Sequence, residues 1–299
     1  ANPNYWGKKL YPNQVSEIIY TPIQSSATRI AALLSGEVDI IQDVPVQDLG
    51  RVSSADGLKL ETASQNRVIF FGLNTVEGPT SELKVRQAMA HAIDRKSLVK
   101  NLIRGDAGVI NTPCFPPQFG CDVNAAVKYE FDQGKAKKLL AEAGYPNGFD
   151  IDFYTFRPAD WAEAVMGDLA KVGIKAKLTK MPYFARRDKQ RKEGTTPMFL
   201  MDWGSYSMND MSAITSHFFK KGPDDFALDD DVAKWLEAGD TNSDASVRKA
   251  NYAKAIKKIT GQVYWLPMFN HVRNYGYRKE LKFIPYQDEI PRFWQYGWK

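Results

Sequence analysis

Histidine is scarce in this chain, cysteine scarcer, and neither sign of charge prevails. Its 299 residues hold three histidines and two cysteines, and 40 basic residues face 35 acidic ones for a formal net charge of +5. His91, His217 and His271 stand at no metal-ligand spacing such as HxxxH, and no second Cys or His pair accompanies the cysteines. No metal site or cofactor is expected. There is no GxSxG elbow, no Walker A loop and no GxGxxG run, so the familiar signatures of serine hydrolases, P-loop NTPases and dinucleotide-binding enzymes are missing. The acidic run Asp229-Asp230-Asp231 precedes an amphipathic pattern, where it reads as helix capping rather than as a catalytic pair. No stretch approaches the roughly 20 uninterrupted apolar residues of a membrane-spanning helix. Basic residues are spread along the whole length. The longest basic run, Arg186 to Lys192, reads as a solvated helix face, so nucleic acid is not expected as a partner. The opening residues Ala1 to Trp6 have neither the basic start nor the apolar core of a signal peptide, as in a mature chain or one that begins in mid-protein.

What is present is globular: 43% hydrophobic residues, 12% aromatic, 21 Gly and 16 Pro, over a length sufficient for two lobes with cores. Cys114 and Cys121 bracket Phe115-Pro116-Pro117-Gln118-Phe119-Gly120, a tight-loop composition. Their spacing is too wide for a CxxC motif. Closure of the loop brings the sulfurs within reach of each other, which reads as a disulfide and an oxidising compartment; two unrelated buried thiols are the alternative.

Periodicity predicts alternating strands and helices. Strands are expected at 17–21, 37–41 and 66–74, the last apolar on both faces and therefore central. Helices follow at 28–34, from 82 to 92, and from 94 to Gly105. Asp132 can cap a helix that Gly144 stops. A βαβ unit spans strand 150–156, helix 160–172 and strand 174–178. A helix at 183–192 leads to a buried-type strand, 198–204, that ends in an irregular segment. Helices are expected at 229–238 and 244–262, and short aromatic strands thereafter.

With catalytic motifs missing, recognition is the remaining chemistry. The segment Trp203-Gly204-Ser205-Tyr206-Ser207-Met208-Asn209-Asp210 combines rings, a flexible glycine, hydroxyls, an amide and a carboxylate, a composition suited to ligand contact. The alternative is a polar loop that caps the next helix through Asn209 or Asp210. Arg157 closes a strand directly before Pro158, and open α/β sheets place ligands at the carboxyl ends of strands. An arginine there can take a carboxylate bidentately, or it can serve in a surface salt bridge.

Several motifs, in order, resemble one family. They are Asn2-Pro3-Asn4-Tyr5-Trp6-Gly7, Leu33-Leu34-Ser35-Gly36-Glu37-Val38-Asp39-Ile40, and Val85-Arg86-Gln87-Ala88-Met89-Ala90-His91-Ala92-Ile93-Asp94-Arg95. Tyr129-Glu130-Phe131-Asp132, the stretch Ala136 to Tyr145, Val172-Gly173-Ile174, Trp203-Gly204 and Leu266-Pro267 follow. Together they resemble the family 5 extracellular solute-binding proteins, the peptide-, nickel- and opine-binding components of ABC importers. The resemblance implies an α/β fold of the periplasmic-binding-protein type II, with mixed sheets flanked by helices. It also implies that the chain corresponds to a C-terminal portion: one full lobe plus part of the hinged lobe. On that reading 1–75 is part of the first, hinged lobe, 76–265 is the second lobe, and 266–299 returns to the first.

The same resemblance implies a periplasmic, monomeric, non-enzymatic protein. It would capture a small molecule or short peptide by hinge closure and deliver it to an ABC permease in the membrane. Its implied ligand contacts are Arg157, Trp203, Gly204, Ser205, Tyr206, Asn209 and Asp210. In peptide-binding members a Trp-x-x-Asp stretch holds the ligand's amino terminus, and here Tyr206 stands where that Asp would be, with Asp210 as a substitute four residues on. Arg157 resembles the arginine that binds the peptide carboxylate. An anionic, opine-like solute fits this pattern, and so does a peptide held by other groups. A secreted hydrolase acting on small peptides and the ligand-sensing domain of a receptor are the alternatives.

Overall fold

The computed structural model describes residues 4–11, 15–193 and 196–299. Asn2 and Pro3 of the opening motif lie outside them. In chain order the helices are α1 (Ser26–Ser35), α2 (Leu49–Ser53), α3 (Leu83–Ala92), α4 (Arg95–Leu98), α5 (Gln133–Glu142), α6 (Ala159–Ala170), α7 (Tyr183–Glu193), α8 (Ser212–Phe219), α9 (Asp230–Asp240) and α10 (Ala245–Gly261). The strands are β1 (Ile40–Gln42), β2 (Leu58–Leu73), β3 (Phe149–Thr155), β4 (Ile174–Lys180), β5 (Met198–Gly204), β6 (Trp265–Arg278), β7 (Leu281–Lys282) and β8 (Gly297–Trp298). Six of them form a mixed sheet in the order β1-β6-β2-β5-β3-β4.

The chain divides into two compact units. The smaller comprises 1–65, 103–106 and 272–299; the larger comprises 66–102 and 107–271. In the smaller unit, the Ser25 hydroxyl accepts from the Thr28 amide to start α1, and Gly36, at φ 79°, ends it in the left-handed region. The face of α1 carrying Ile30 and Leu33 packs with Ile41, Val44 and Val52. β1 pairs antiparallel with the last part of β6, Ile41 opposite Gly276.

The larger unit carries the main core. β3 and β4 pair in parallel across helix α6, as the βαβ pattern predicts, and β3 also pairs in parallel with β5. β2 runs antiparallel to β5, from Arg67 opposite Gly204 to Leu73 opposite Met198. Val68, Phe70, Phe199, Met201, Phe218 and Trp265 form the core on one side, with the Phe70 and Trp265 rings stacked. Asp132, Asp229 and Asp244 cap α5, α9 and α10 through amides of the first turn.

Two motif arginines are structural hubs. Arg86 donates to the carbonyls of Thr80, Ser81 and Gln262, and Arg95 to those of Ile110, Tyr129 and Pro267. Burial pulls the Arg95 guanidinium down to about 10. Each ties together carbonyls from separate segments of the larger unit. His91 is structural too, its Nδ1 2.7 Å from the Glu130 carbonyl and its ring edge-on to Tyr129.

The structure departs from the expected elements at several places, among them the helix expected from 94 to Gly105, of which α4 is α-helical and Val99–Ile103 a π turn, and the strand expected at 37–41, which is 40–42. Residues 17–21 are not a strand: Ile19 is 81% and Tyr20 76% exposed, so β propensity there finds no pairing edge. β2 begins at Leu58, eight residues before the apolar run, and β6 is one 14-residue strand rather than several short ones. Helix α8 follows the irregular segment after β5, in line with the capping alternative: the Ser212 amide at its start donates to Asp210, although Met211 holds the N-cap position.

Candidate functional site

The site residues all belong to the larger unit and gather where β3 and β5 end. The parallel register that sets Thr155 opposite Leu200 brings Arg157, two residues on, beside Asp202. The Asp202 side chain has no exposed surface. Arg157 donates to it from Nε and Nη2, and Arg67, from the neighbouring β2, donates to it from Nη1. Burial alone would raise the Asp202 pKa. The Arg157 and Arg67 guanidiniums outweigh that penalty and hold it below the ordinary carboxylate value. Both arginines keep some exposure, and the Arg157 guanidinium also lies 5.1 Å over the Phe156 ring. Arg157 Nη1 has no hydrogen-bond partner within the chain among the described residues. The salt bridge weighed for Arg157 therefore exists, but with a buried carboxylate rather than at the surface.

Gly204 leaves room for the arrangement. A Cβ there would stand 3.3 Å from Cζ, Nε and Nη2 of Arg67, whose guanidinium lies against the strand. Ser205 is buried, its amide donating to the Asn66 carbonyl at 3.1 Å. The next two residues enter the left-handed region, Tyr206 at φ 41° and Ser207 at φ 61°, and the Met208 amide closes the turn on the Ser205 carbonyl at 3.1 Å. A turn with two such central residues favours Gly and Asn, so Tyr and Ser there are strained. The turn leaves Tyr206 52% exposed while its hydroxyl accepts from Arg67 Nη2 at 3.1 Å.

Asn209 is exposed, and its carbonyl accepts from the Phe119 amide at 3.0 Å. Asp210 is not an open carboxylate. Arg248 Nη2 donates to it at 2.6 Å, the Ser212 amide at 3.0 Å, and the Tyr252 hydroxyl lies 3.4 Å away. Burial would raise its pKa, and the bonds from Ser212 and Arg248 bring it below the ordinary value. Cys114 and Cys121 are joined by a disulfide.

Trp203 is half-buried. Its ring stacks on His217 at 4.5 Å and 10°, and meets Phe218 edge-on. His217 Nε2 lies 3.1 Å from Asp224 Oδ2, which also accepts from the Tyr183 hydroxyl at 2.8 Å. Arg186 approaches Asp224 at 3.7 Å and sits 4.4 Å over the Phe199 ring, 2% exposed. The basic run is therefore not wholly a solvated face: its first arginine is a core residue whose guanidinium burial pulls down in pKa. The side chains of Gln190 and Arg191 lie outside those described.

The structure thus brings Arg157, Gly204 and Tyr206 together around Arg67 and Asp202, and turns Asp210 towards Arg248. Arg67, Asp202 and Arg248 are not among the residues that the sequence nominates. The available signal was a charge inside an apolar strand, Asp202 between Met201 and Trp203, which requires a cation from elsewhere in the chain.

The family described as bacterial extracellular solute-binding proteins, family 5 Middle, matches residues 1–225. Heme-binding protein A of Haemophilus influenzae is 30% identical over 211 residues, covering 68% of this chain and 38% of its own length. The glutathione-binding protein GsiB of Salmonella choleraesuis is 26% identical over 282 residues, covering 88% of this chain and 54% of its own. The chain spans about half the length of the curated relatives it matches. Among solved structures, the ABC transporter-associated periplasmic binding protein DppA of Helicobacter pylori, in complex with the peptide STSA, superposes with a TM-score of 0.82 at 24% identity. That match covers 92% of this chain and 56% of the other, and it shows the shared fold.

Proposed function

The chain belongs to family 5 of the bacterial extracellular solute-binding proteins, and from that premise we propose that it carries part of the solute-binding surface of an ABC importer's substrate-binding component. Its surface comprises Arg157 with the turn from Trp203 to Asp210. On this reading 1–75 and 266–299 contribute to one lobe and 76–265 forms the other. The complete protein would work as a monomer in the periplasm, close on its solute and present the closed form to a membrane permease. Proteins of this family capture solute without turnover, and binding is the activity proposed here.

One observation carries the reading: Arg157 lies at the carboxyl end of β3, oriented by buried Asp202 and partly exposed, while Arg67 on the same carboxylate holds the Tyr206 hydroxyl. A guanidinium fixed in this way can meet a ligand anion with little loss of rotamer freedom. The solute class proposed is a peptide, or a peptide-like or opine-like molecule, with at least one carboxylate. Heme and glutathione, named for the two curated relatives, both carry carboxylates.

The test is a titration of isotope-labelled protein with glutathione, followed by NMR. Shift changes confined to Arg157 and 203–210 are expected, with a dissociation constant of about 1 mM for a surface representing part of the complete site. No change at these residues with glutathione, a dipeptide or an opine would overturn the reading.

A further inference from the structure

The turn that presents Tyr206 is strained, and such turns persist only where the surroundings over-determine them. Its first side is fixed by the Ser205 amide on Asn66 and by Arg67 on the Tyr206 hydroxyl. Its second side is held by a different part of the chain, the loop that the disulfide closes. The Phe119 amide donates to the Asn209 carbonyl at 3.0 Å, and the Met211 amide donates to the Phe119 carbonyl at 3.1 Å, so that Phe119 and Asp210 form a short parallel bridge.

Gln118 ties the two together from inside. Its side chain is buried, 3% exposed, and both its oxygen and its NH2 group are engaged. Oε1 accepts from the Phe115 amide at 2.8 Å, and Nε2 donates to the Asp210 carbonyl at 3.0 Å and the Met208 carbonyl at 3.5 Å. These partners fix the amide's orientation, because a flip would set its oxygen against two carbonyls and its NH2 against an amide N–H. The loop itself is short, with Pro116 and Pro117 inside it, the Gln118 amide on the Phe115 carbonyl and the Cys121 amide on the Gln118 carbonyl. Gly120, at φ 82°, seats it against the Tyr252 ring, which a Cβ would meet at 2.3 Å.

We propose that Gln118, held in place by the Cys114–Cys121 loop, is the positioning residue for the turn at 205–210. It touches no solute. It acts by holding the carbonyls of Met208 and Asp210, which fixes the aim of Tyr206 and the polar groups beside it. The importance of that aim rests on the function proposed above; the hold itself does not.

The experiment is amide hydrogen exchange on the whole 299-residue chain, oxidised, comparing wild type with Gln118→Ala and Gln118→Glu. Glutamate keeps an acceptor for the Phe115 amide and, at a pH where it is ionised, removes both donations to the turn. Both variants are expected to raise exchange at Met208 and Met211 by about tenfold or more. Phe115 stays protected in Gln118→Glu and loses protection in Gln118→Ala, and the amides of α10 and β3 are unchanged in both. A merely structural role would not separate Phe115 from Met208 in this way. Wild-type protection at Met208 and Met211 in both variants would overturn the proposal, leaving Asp210 on Arg248 as the anchor. Reduction with a dithiol, which is itself oxidised as the disulfide becomes two thiols, should reproduce the Gln118→Ala pattern. If reduction instead unfolds the chain, the oxidised Gln118→Glu protein still decides the matter. Failure of the solute reading is separate: it would appear as no glutathione response in a wild-type protein whose turn is protected.

Discussion

Arg157 grips Asp202 with two of its nitrogens, Nε and Nη2, across the gap between β3 and β5, two residues beyond the last paired position of the two strands. The strand register sets that meeting, and the burial of the carboxylate makes it consequential. Arg67 completes the arrangement from β2. A carboxylate with no exposed surface thereby aligns two cations that retain some, at the carboxyl ends of β3 and β5, after which Tyr206 is exposed.

Asp202→Asn should be among the most damaging conservative changes in the chain. It leaves two guanidiniums facing each other in a partly buried place, and breaking such a pair costs about 3–5 kcal/mol. Arg157→Ala should cost less, because Arg67 still neutralises the carboxylate. Urea denaturation of the two variants checks the order; equal midpoints would mean that the carboxylate is better solvated than its burial indicates.

Acid should destabilise the larger unit through the same group and its relatives. Asp202, Asp210, Asp224 and Asp229 all lie below the ordinary value of 3.8 in the folded chain. Their contribution is complete above the unfolded pKa and is lost as pH falls through the folded one. Asp225 is raised by burial and acts in the opposite direction, offsetting part of the effect. Stability measured from pH 7 downward should therefore hold to about pH 5 and then decline. The decline should be shallower in Asp202→Asn, and an unchanged slope would remove Asp202 from the account.

Much of the larger unit was legible because its signals are local. The apolar run at 198–204 is a strand buried on both faces, and Asp132, Asp229 and Asp244 announce helix starts through their own side chains. The segment 17–21 shows the limit. Ile18, Ile19 and Tyr20 have strand propensity, but a strand exists only where an edge is offered, and their exposure shows that none is offered here. At the site, Arg157 and the 203–210 segment could be nominated by type and place. Arg67 and Asp202, 135 residues apart, could not be matched by any spacing rule, because the strand order alone brings them together. Gln118 was hidden for another reason: glutamine in a Pro-rich loop looks solvent-facing until its carbonyl partners are seen.

Cys114 and Cys121 should resist alkylation until the protein is reduced. Replacing both by alanine frees a short loop, for which the chain-entropy relation gives about 2–3 kcal/mol. Mass spectrometry after iodoacetamide, with and without reductant, checks the first point, and thermal unfolding of the double variant checks the second. Labelling of the unreduced native protein would contradict the bond.

Gly120→Ala should cost more than an ordinary loop substitution. The residue sits at φ 82°, and the added methyl would meet the Tyr252 ring at 2.3 Å. The conformational penalty is about 1–2 kcal/mol and the overpacking about 1–3 kcal/mol. The Tyr252 ring has little freedom to move, since its hydroxyl bonds to Arg248 and Asp240. A loss of unfolding free energy under about 1 kcal/mol, measured by urea denaturation, would show that the loop can move as a body.

Arg157→Lys separates charge from geometry in solute binding. If Arg157 meets a ligand carboxylate, alanine should weaken glutathione by about 1.5–3 kcal/mol, or roughly 10–150-fold. Lysine should recover only part of that, because an ammonium cannot hold Asp202 with two nitrogens while offering a third to the ligand. An amidated dipeptide with no carboxylate serves as the control and should bind wild type and both variants alike. Equal losses for glutathione and the amidated dipeptide would mean that the substitution had disturbed the Asp202 cluster and that Arg157 itself does not touch the solute.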